Sequence, residues 1–289
     1  SEHPLRNFKD NSLSQSVGRL RLSLERGFYD GIFCISNYLI EFYKNAGFAE
    51  KKLFLVPSTV DTARFNIEMK SPLPYDYIAY CGSLTVMKDG VDILIESFSR
   101  ICGKHSNINL VLIGAGDTVE EEEYVRNLVQ TLKLESRIIF LGLLPRTEVP
   151  KYLLNAKILA LARPKSKVAD AGFPSKLTEY LSTGNPVVVT SVGEIPYYLK
   201  DNEHAFLAEP DNAEDFAGKL DFLAQNVRTT DFEDQVFPAF TLKEMNGVKV
   251  AVIGQAFPYT PIANPRWMVP DWSFGIRDEE MQNTVDAAR

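Results

Sequence analysis

The chain has 289 residues, 45% hydrophobic and 24% charged, enough apolar material for one or two ordinary cores and the composition of a soluble globular protein. Its net charge of -7 excludes a nucleic-acid-tracking surface, which needs clustered Lys and Arg, but leaves room for a nucleotide-sized anion at one local positive site. No apolar run reaches the roughly 18 residues that span a bilayer, and no signal-peptide pattern is present.

The chain starts at Ser1 rather than Met, so an upstream portion is expected outside it. Cys34, Cys81 and Cys102 lie in or beside apolar runs without CxxC spacing, the pattern of free thiols in a reducing compartment. His3, His105 and His204 sit in polar segments, none with another His or Cys at ligand spacing, so no metal site is expected.

Short β-rich runs follow in chain order at Gly31 to Ser36, Leu53 to Val56, Tyr77 to Cys81, Leu110 to Ile113, Ile138 to Leu141, Ile158 to Leu161 and Pro186 to Thr190. Amphipathic stretches separate them at Asn37 to Ala46, Val91 to Ile101, Glu120 to Leu132, Glu148 to Ala156, Lys176 to Thr183 and Ala213 to Leu220. Strands and helices alternating at this spacing specify an α/β domain with a parallel sheet covered on both faces. Ligands of such sheets bind at the carboxyl ends of the strands, which directs attention to the loops that follow them.

The first such loop runs Gly82-Ser-Leu-Thr-Val-Met-Lys88-Asp-Gly90. Glycine allows close backbone approach, and Lys88 beside a helix start adds charge to exposed amides, an environment that suits a diphosphate. A turn carrying a solvated lysine is the alternative. Gly114-Ala-Gly116-Asp117 lacks a third glycine and runs into Glu120–Glu123, which would repel a pyrophosphate; it reads as a strand-to-helix turn. In the third loop, Asp170-Ala-Gly-Phe-Pro-Ser-Lys-Leu-Thr-Glu179, a helix beginning near Ser175 offers amides to an anion. Glu179, about one turn along, is placed to accept from both ribose hydroxyls; a Glu capping its own helix is the alternative.

Taken together, VPSTVDTARF (Val56 to Phe65), GSLTVMKDGVDILIESF (Gly82 to Phe98), LVLIGAGD, IIFLGLLP and FPSKLTEYLSTGNPVVVT (Phe173 to Thr190) give residues 31–220 a resemblance. The stretch resembles the C-terminal, donor-binding, Rossmann-like domain of the family 4 retaining glycosyltransferases, which have the GT-B fold. The resemblance implies a nucleotide-diphosphate sugar, UDP- or GDP-linked, as donor, with no cofactor or metal required. It implies that Lys88, at the Gly82–Ser83 loop, meets the diphosphate, that Glu179 holds the ribose and that Leu143 and Leu144 meet the base edge. The amides of Ser175, Lys176 and Leu177 would meet phosphate, and Gly193 and Glu194 fall in a turn that approaches the donor. Catalytic residues are not identified.

Departures from the family pattern accompany this. Ser83 stands where the family has Arg, Ala171 where it has the first Glu of its E-x7-E motif, with Asp170 as the neighbouring replacement, and Pro174 where it often has Gly. The FPSKLTEYLSTGNPVV form resembles a polysaccharide-biosynthesis subgroup. Residues 1–30 are expected to be a leader or remnant of the acceptor domain, leaving donor binding but an incomplete catalyst. The implied acceptor is a glycan or lipid-linked acceptor, and the implied location is cytoplasmic, with peripheral contact at the inner membrane face as a further option.

Near Leu220 the pattern changes. Val236 to Glu244, Asn246-Gly247 and Val248 to Gly254 predict a β-hairpin, and Asp278 to Arg289 a closing helix. The strings DFLAQNV, NGVKVAVIGQAFPYTPIANP and DWSFGI resemble the thiosulfohydrolase of bacterial sulfur oxidation, a dimetal 5′-nucleotidase-like metallophosphoesterase. Residues 221–289 contain no His or Cys, so this α+β fragment is expected to lack the metal ligands, with Asn226 and Asn264 as turn residues and Trp267 and Trp272 in packing roles. A non-catalytic fusion, or chimera, is therefore the second reading of the whole chain.

Overall fold

A computed structural model describes residues 21–66, 69–105 and 107–221, the strands at 227–229, 240–245, 248–253 and 272–274, and residues 282, 284 and 285. The chain divides into two compact units, Ser1–Leu220 and Asp221–Arg289.

The first unit is organised by runs of Val, Ile, Leu and Ala that are apolar on both sides of the strand. Such runs suit parallel strands with helices on either face. The sheet comprises β3 (Asp76–Cys81), β4 (Ile108–Ile113), β5 (Ile138–Gly142), β6 (Ile158–Leu161), β7 (Val187–Thr190) and β8 (Phe206–Ala208). It is six-stranded in the order β5-β4-β3-β6-β7-β8, and every pairing is parallel. All of β6 and β7 is buried, whereas edge strands β5 and β8 are mostly half-buried. Counted from β3, this is the 3-2-1-4-5-6 order of a doubly wound sheet, which reverses direction between β3 and β6.

The helices cover it as their periodicity predicts. α4 (Val91–Ile101) buries Val91, Leu94, Ile95, Phe98 and Ile101, an i, i+3, i+4, i+7 stripe. α5 (Val119–Thr131) starts at an N-cap, Thr118, whose side chain accepts from the Glu121 amide, with Glu120, Glu121 and Glu122 complementing the helix dipole in its first turn. α10 (Ala213–Leu220) packs on α4, and Ser97 Oγ donates to the Ala213 carbonyl at 3.0 Å. At the amino edge of the sheet Arg137 donates to the carbonyls of Cys102 and His105, at 3.0 and 2.7 Å.

One expectation is corrected. The first two β-rich runs do not join the sheet: β1 (Ile32–Cys34) and β2 (Leu53–Leu55) pair parallel with each other in a separate two-stranded sheet. An interior strand of the main sheet must be apolar on buried faces, but Phe33 is 77% exposed and Phe54 48%. β1 and α2 (Asn37–Asn45) instead pack through Cys34 and Leu39 on Ala171. The sixth place is taken by β8, whose three-residue FLA run is too short to register as a period.

In the second unit β10 (Phe240–Met245) pairs antiparallel with β11 (Val248–Ile253), Met245 opposite Val248, as the Asn-Gly signal predicts. β9 (Val227–Thr229) pairs antiparallel with β12 (Trp272–Phe274). Residues 282, 284 and 285 are helical, within the expected closing helix. His3, Asn226, Asn246, Gly247, Asn264 and Trp267 lie outside the described residues, as does the side chain of Trp272.

Candidate functional site

β3 and β6 are neighbours, Ile78 beside Ile158, so the segments leaving their carboxyl ends meet at the point where strand order reverses. From β3 comes Gly82 to Thr85 and then α3 (Val86–Asp89), a helical turn inside the expected loop that ends in left-handed Gly90. From β6 come Ala162 and Arg163, then α7 (Lys167–Ala171) and α8 (Ser175–Ser182). A Cβ at Gly90 would run into the Ala162 carbonyl, so only glycine permits this approach.

The junction is built from charged groups. Lys176 Nζ lies 2.7 Å from Asp89 Oδ2 and 3.3 Å from the Tyr80 hydroxyl, and Arg163 Nε donates to the Lys88 carbonyl at 3.2 Å. Burial lowers the pKa of Lys176 although Asp89 opposes the shift; burial also lowers that of Arg163. Tyr80 and Tyr180 are fully buried, and desolvation holds both phenols well above their ordinary range. The Tyr180 hydroxyl accepts from the Cys81 amide at 2.7 Å, fastening α8 to the end of β3.

Among the residues expected at the site, Lys88 is half-buried on α3 rather than in an open loop. Ser83 Oγ donates to Asp117 Oδ1, so the Gly114–Asp117 segment, expected to be a plain turn, braces the first loop. Ser175 is exposed at the start of α8, whereas the Leu177 amide already donates to the Pro174 carbonyl at 3.0 Å. Of the expected phosphate amides, that engages Leu177. Leu143 is 82% exposed beyond β5 and Leu144 packs partly on the core. Asp170 is half-buried on α7, while Ala171 is fully buried, its carbonyl accepting from Ser36 Oγ at 2.7 Å.

Glu179 faces Arg64, whose Nη1 is 2.7 Å from Glu179 Oε1 and whose Nη2 donates to the Arg146 carbonyl at 3.0 Å. Arg64 comes from the 3-10 turn Thr62–Phe65, within the VPSTVDTARF string. Gly193 lies against the Ala169 carbonyl. Glu194 is 2% exposed and accepts from Asn37 Nδ2 at 2.8 Å, so its carboxylate is committed to α2. Sequence reading did not single out Arg64, Asp89, Arg163 or Asn37. Their partners lie 75 to 157 residues away, and no local spacing marks them.

All three cysteines are free. His204 is exposed, its Nδ1 accepting from the Lys200 amide, and His105 is half-buried. Among the described residues no group of three or more His, Cys, Asp or Glu could hold a metal ion, and no described helix is long and apolar enough to cross a membrane.

The family model described as glycosyl transferases group 1 matches residues 63–231, more than half of the 289 residues. A phosphatidylinositol N-acetylglucosaminyltransferase subunit from Arabidopsis thaliana is 28% identical over 73% of this chain and 45% of its own length. The amylovoran biosynthesis glycosyltransferase AmsK of Erwinia amylovora is 25% identical over 62% of this chain and 44% of its own. The chain thus spans about half the length of the curated relatives it matches. Among solved structures, Anabaena HepE in complex with UDP-glucose superposes with a TM-score of 0.61 at 17% identity, over 75% of this chain and 59% of that one. A Rickettsia africae glycosyltransferase gives 0.57 at 20% identity, over 68% and 55%. These structures share the GT-B fold's α/β architecture with the six-stranded parallel sheet described above. The chain belongs to the glycosyl transferases group 1 family.

Proposed function

We propose that residues 31–220 bind a nucleotide-diphosphate sugar where β3 and β6 part, for retaining transfer of the sugar to a glycan or lipid-linked acceptor. The carrying observation is the convergence of Lys88, the start of α8 and Glu179 on the carboxyl edge of the sheet at its switch point. Lys88 and the amides of Ser175 and Lys176 meet the diphosphate, whose charge an exposed helix start favours. Glu179 holds the ribose with the carboxylate oxygen that Arg64 leaves open, and the Leu143–Leu144 backbone meets the base. Asp170 takes the sugar-hydroxyl role, because Ala171 is packed under Cys34 and Leu39. Glu194 contributes through the placement of its turn rather than its carboxylate. Transfer additionally requires an acceptor held face to face with the donor.

Calorimetry and thermal shift with UDP, GDP and ADP test this. At least one should bind and raise the melting temperature, and Glu179→Ala should remove the shift. No response to any of the three overturns the reading. Residues 221–289 form a compact unit of their own, which favours their folding apart from the nucleotide site. Deleting them is then expected to leave the nucleotide shift in place.

A further inference from the structure

Ser83 carries no charge, but a lysine from α8 reaches the same loop. Lys176 extends from α8 until its ammonium lies beneath Gly82, so close that a methyl group added to Gly82 would strike Nζ. The Lys176 side chain is 17% exposed and that of its partner Asp89 only 2%, so the pair is sunk below the loop with the lysine retaining an opening. The Tyr80 ring centroid is 5.1 Å from Nζ, within cation–π range.

The local charge does not balance. Lys88, Arg163 and Lys176 converge here on two carboxylates, Asp89 and, across Ser83, Asp117, and Arg163, 4% exposed, has no carboxylate within 4.0 Å among the described residues. Excess positive charge in a crevice shielded from water is costly by itself and complementary to a polyanion. Its place at the switch point, beside the first loop, matches where a diphosphate would lie.

We infer that Lys176 is a second side chain, besides Lys88, that recognises the donor's diphosphate by charge, reaching it from beneath Gly82, and that Arg163 is a positioning residue that holds α3 through the Lys88 carbonyl. This rests on the donor-binding reading above. On this view Gly82 is glycine because any side chain there would push the ammonium aside, and Ser83 needs no arginine because the charge arrives from α8.

Removing Lys176 alone would strand the buried Asp89, so the test uses the double variant Lys176→Met/Asp89→Asn, which removes both charges at similar volume. Gly82→Ala, which keeps the charge but displaces it, is the second variant. Affinities of UDP, GDP and ADP are measured beside those of the matching monophosphates. The wild-type chain should favour the diphosphate by about tenfold or more, as expected for a charge-assisted contact to the second phosphate. Both variants should lower that ratio by about threefold or more, and Arg163→Gln should lower it less. A role confined to tying α8 to α3 would change the melting temperature and leave the ratio intact.

A folded double variant with the wild-type ratio overturns the inference alone. Should that variant fail to fold, Gly82→Ala decides: a wild-type ratio there overturns it and a lowered ratio supports it. A wild-type chain that binds none of the nucleotides overturns the donor-binding reading and this inference with it.

Discussion

Arg64 and Glu179 are 115 residues apart in sequence and 2.7 Å apart in space. Because Arg64 also holds the Arg146 carbonyl at 3.0 Å, one guanidinium fixes both the carboxylate assigned to the ribose and the loop beyond β5 assigned to the base. The rigid fork of arginine suits this double attachment, which lysine would not reproduce.

Arg64→Ala should therefore loosen nucleoside recognition more than it loosens the fold. The paired side chains are 17% and 28% exposed, so the stability cost should be modest, about 1 kcal/mol in a urea titration. Discrimination between UDP and its 2′-deoxy analogue should fall to near unity, because a carboxylate free to rotate no longer presents a fixed acceptor to the ribose. Undiminished discrimination would show that Glu179 needs no such anchor.

Asn37→Ala tests the attachment of α2 to the turn after β7. Glu194 would be left buried without its 2.8 Å donor, and an unsatisfied buried acceptor costs about 1–3 kcal/mol. The urea midpoint should drop accordingly. Glu194→Gln should cost less, since an amide oxygen still accepts from Asn37. Equal losses in the two variants would mean that packing, and not the hydrogen bond, carries the contact.

Burial pushes the Cys81 thiol up to about 11 from an ordinary value of 9.0, with the Glu179 carboxylate adding to the shift. With the folded value raised, the contribution to stability is complete below about pH 9 and is lost as the pH rises through about 11. At roughly 1.4 kcal/mol per unit the full effect is about 2–3 kcal/mol. Cys81→Ala should flatten the alkaline fall in unfolding free energy between these limits, measured by urea titration across the range. An unchanged slope would show that the thiol titrates freely in the folded chain.

Much of the fold was legible because its strands are buried on both faces and its helices on one. The runs at 77–81, 110–113, 138–141, 158–161 and 186–190 all enter the sheet, and α10 spans the stretch that periodicity marks. The runs near 31–36 and 53–56 carry the same β-rich composition yet form their own pair. Composition records that a strand is apolar, not which neighbour covers it. Phe33, exposed in this chain, is indistinguishable in a hydrophobicity pattern from Val188, which is buried.

The candidate site divides along similar lines. Lys88 and Glu179 could be picked out because a lysine beside a loop glycine and a glutamate one turn into a helix are local patterns. Lys176 stands out in the sequence for its amide, while its side chain gains meaning only from Asp89 and Gly82, 87 and 94 positions earlier in the chain. Glu194 falls in a turn expected near the donor, and its hydrogen bond from Asn37, 157 residues upstream, has no local signal.

The sequence by itself determined the α/β alternation and the parallel sheet, because side-chain periodicity acts over a few residues. Only the tertiary structure decided which polar groups meet: the pairing of Lys176 with Asp89, the hold of Arg64 on Glu179 and the hydrogen bond of Asn37 to Glu194. Coulomb attraction and desolvation depend on distance and burial in space. Both are set at a switch point where segments far apart in the chain are brought together.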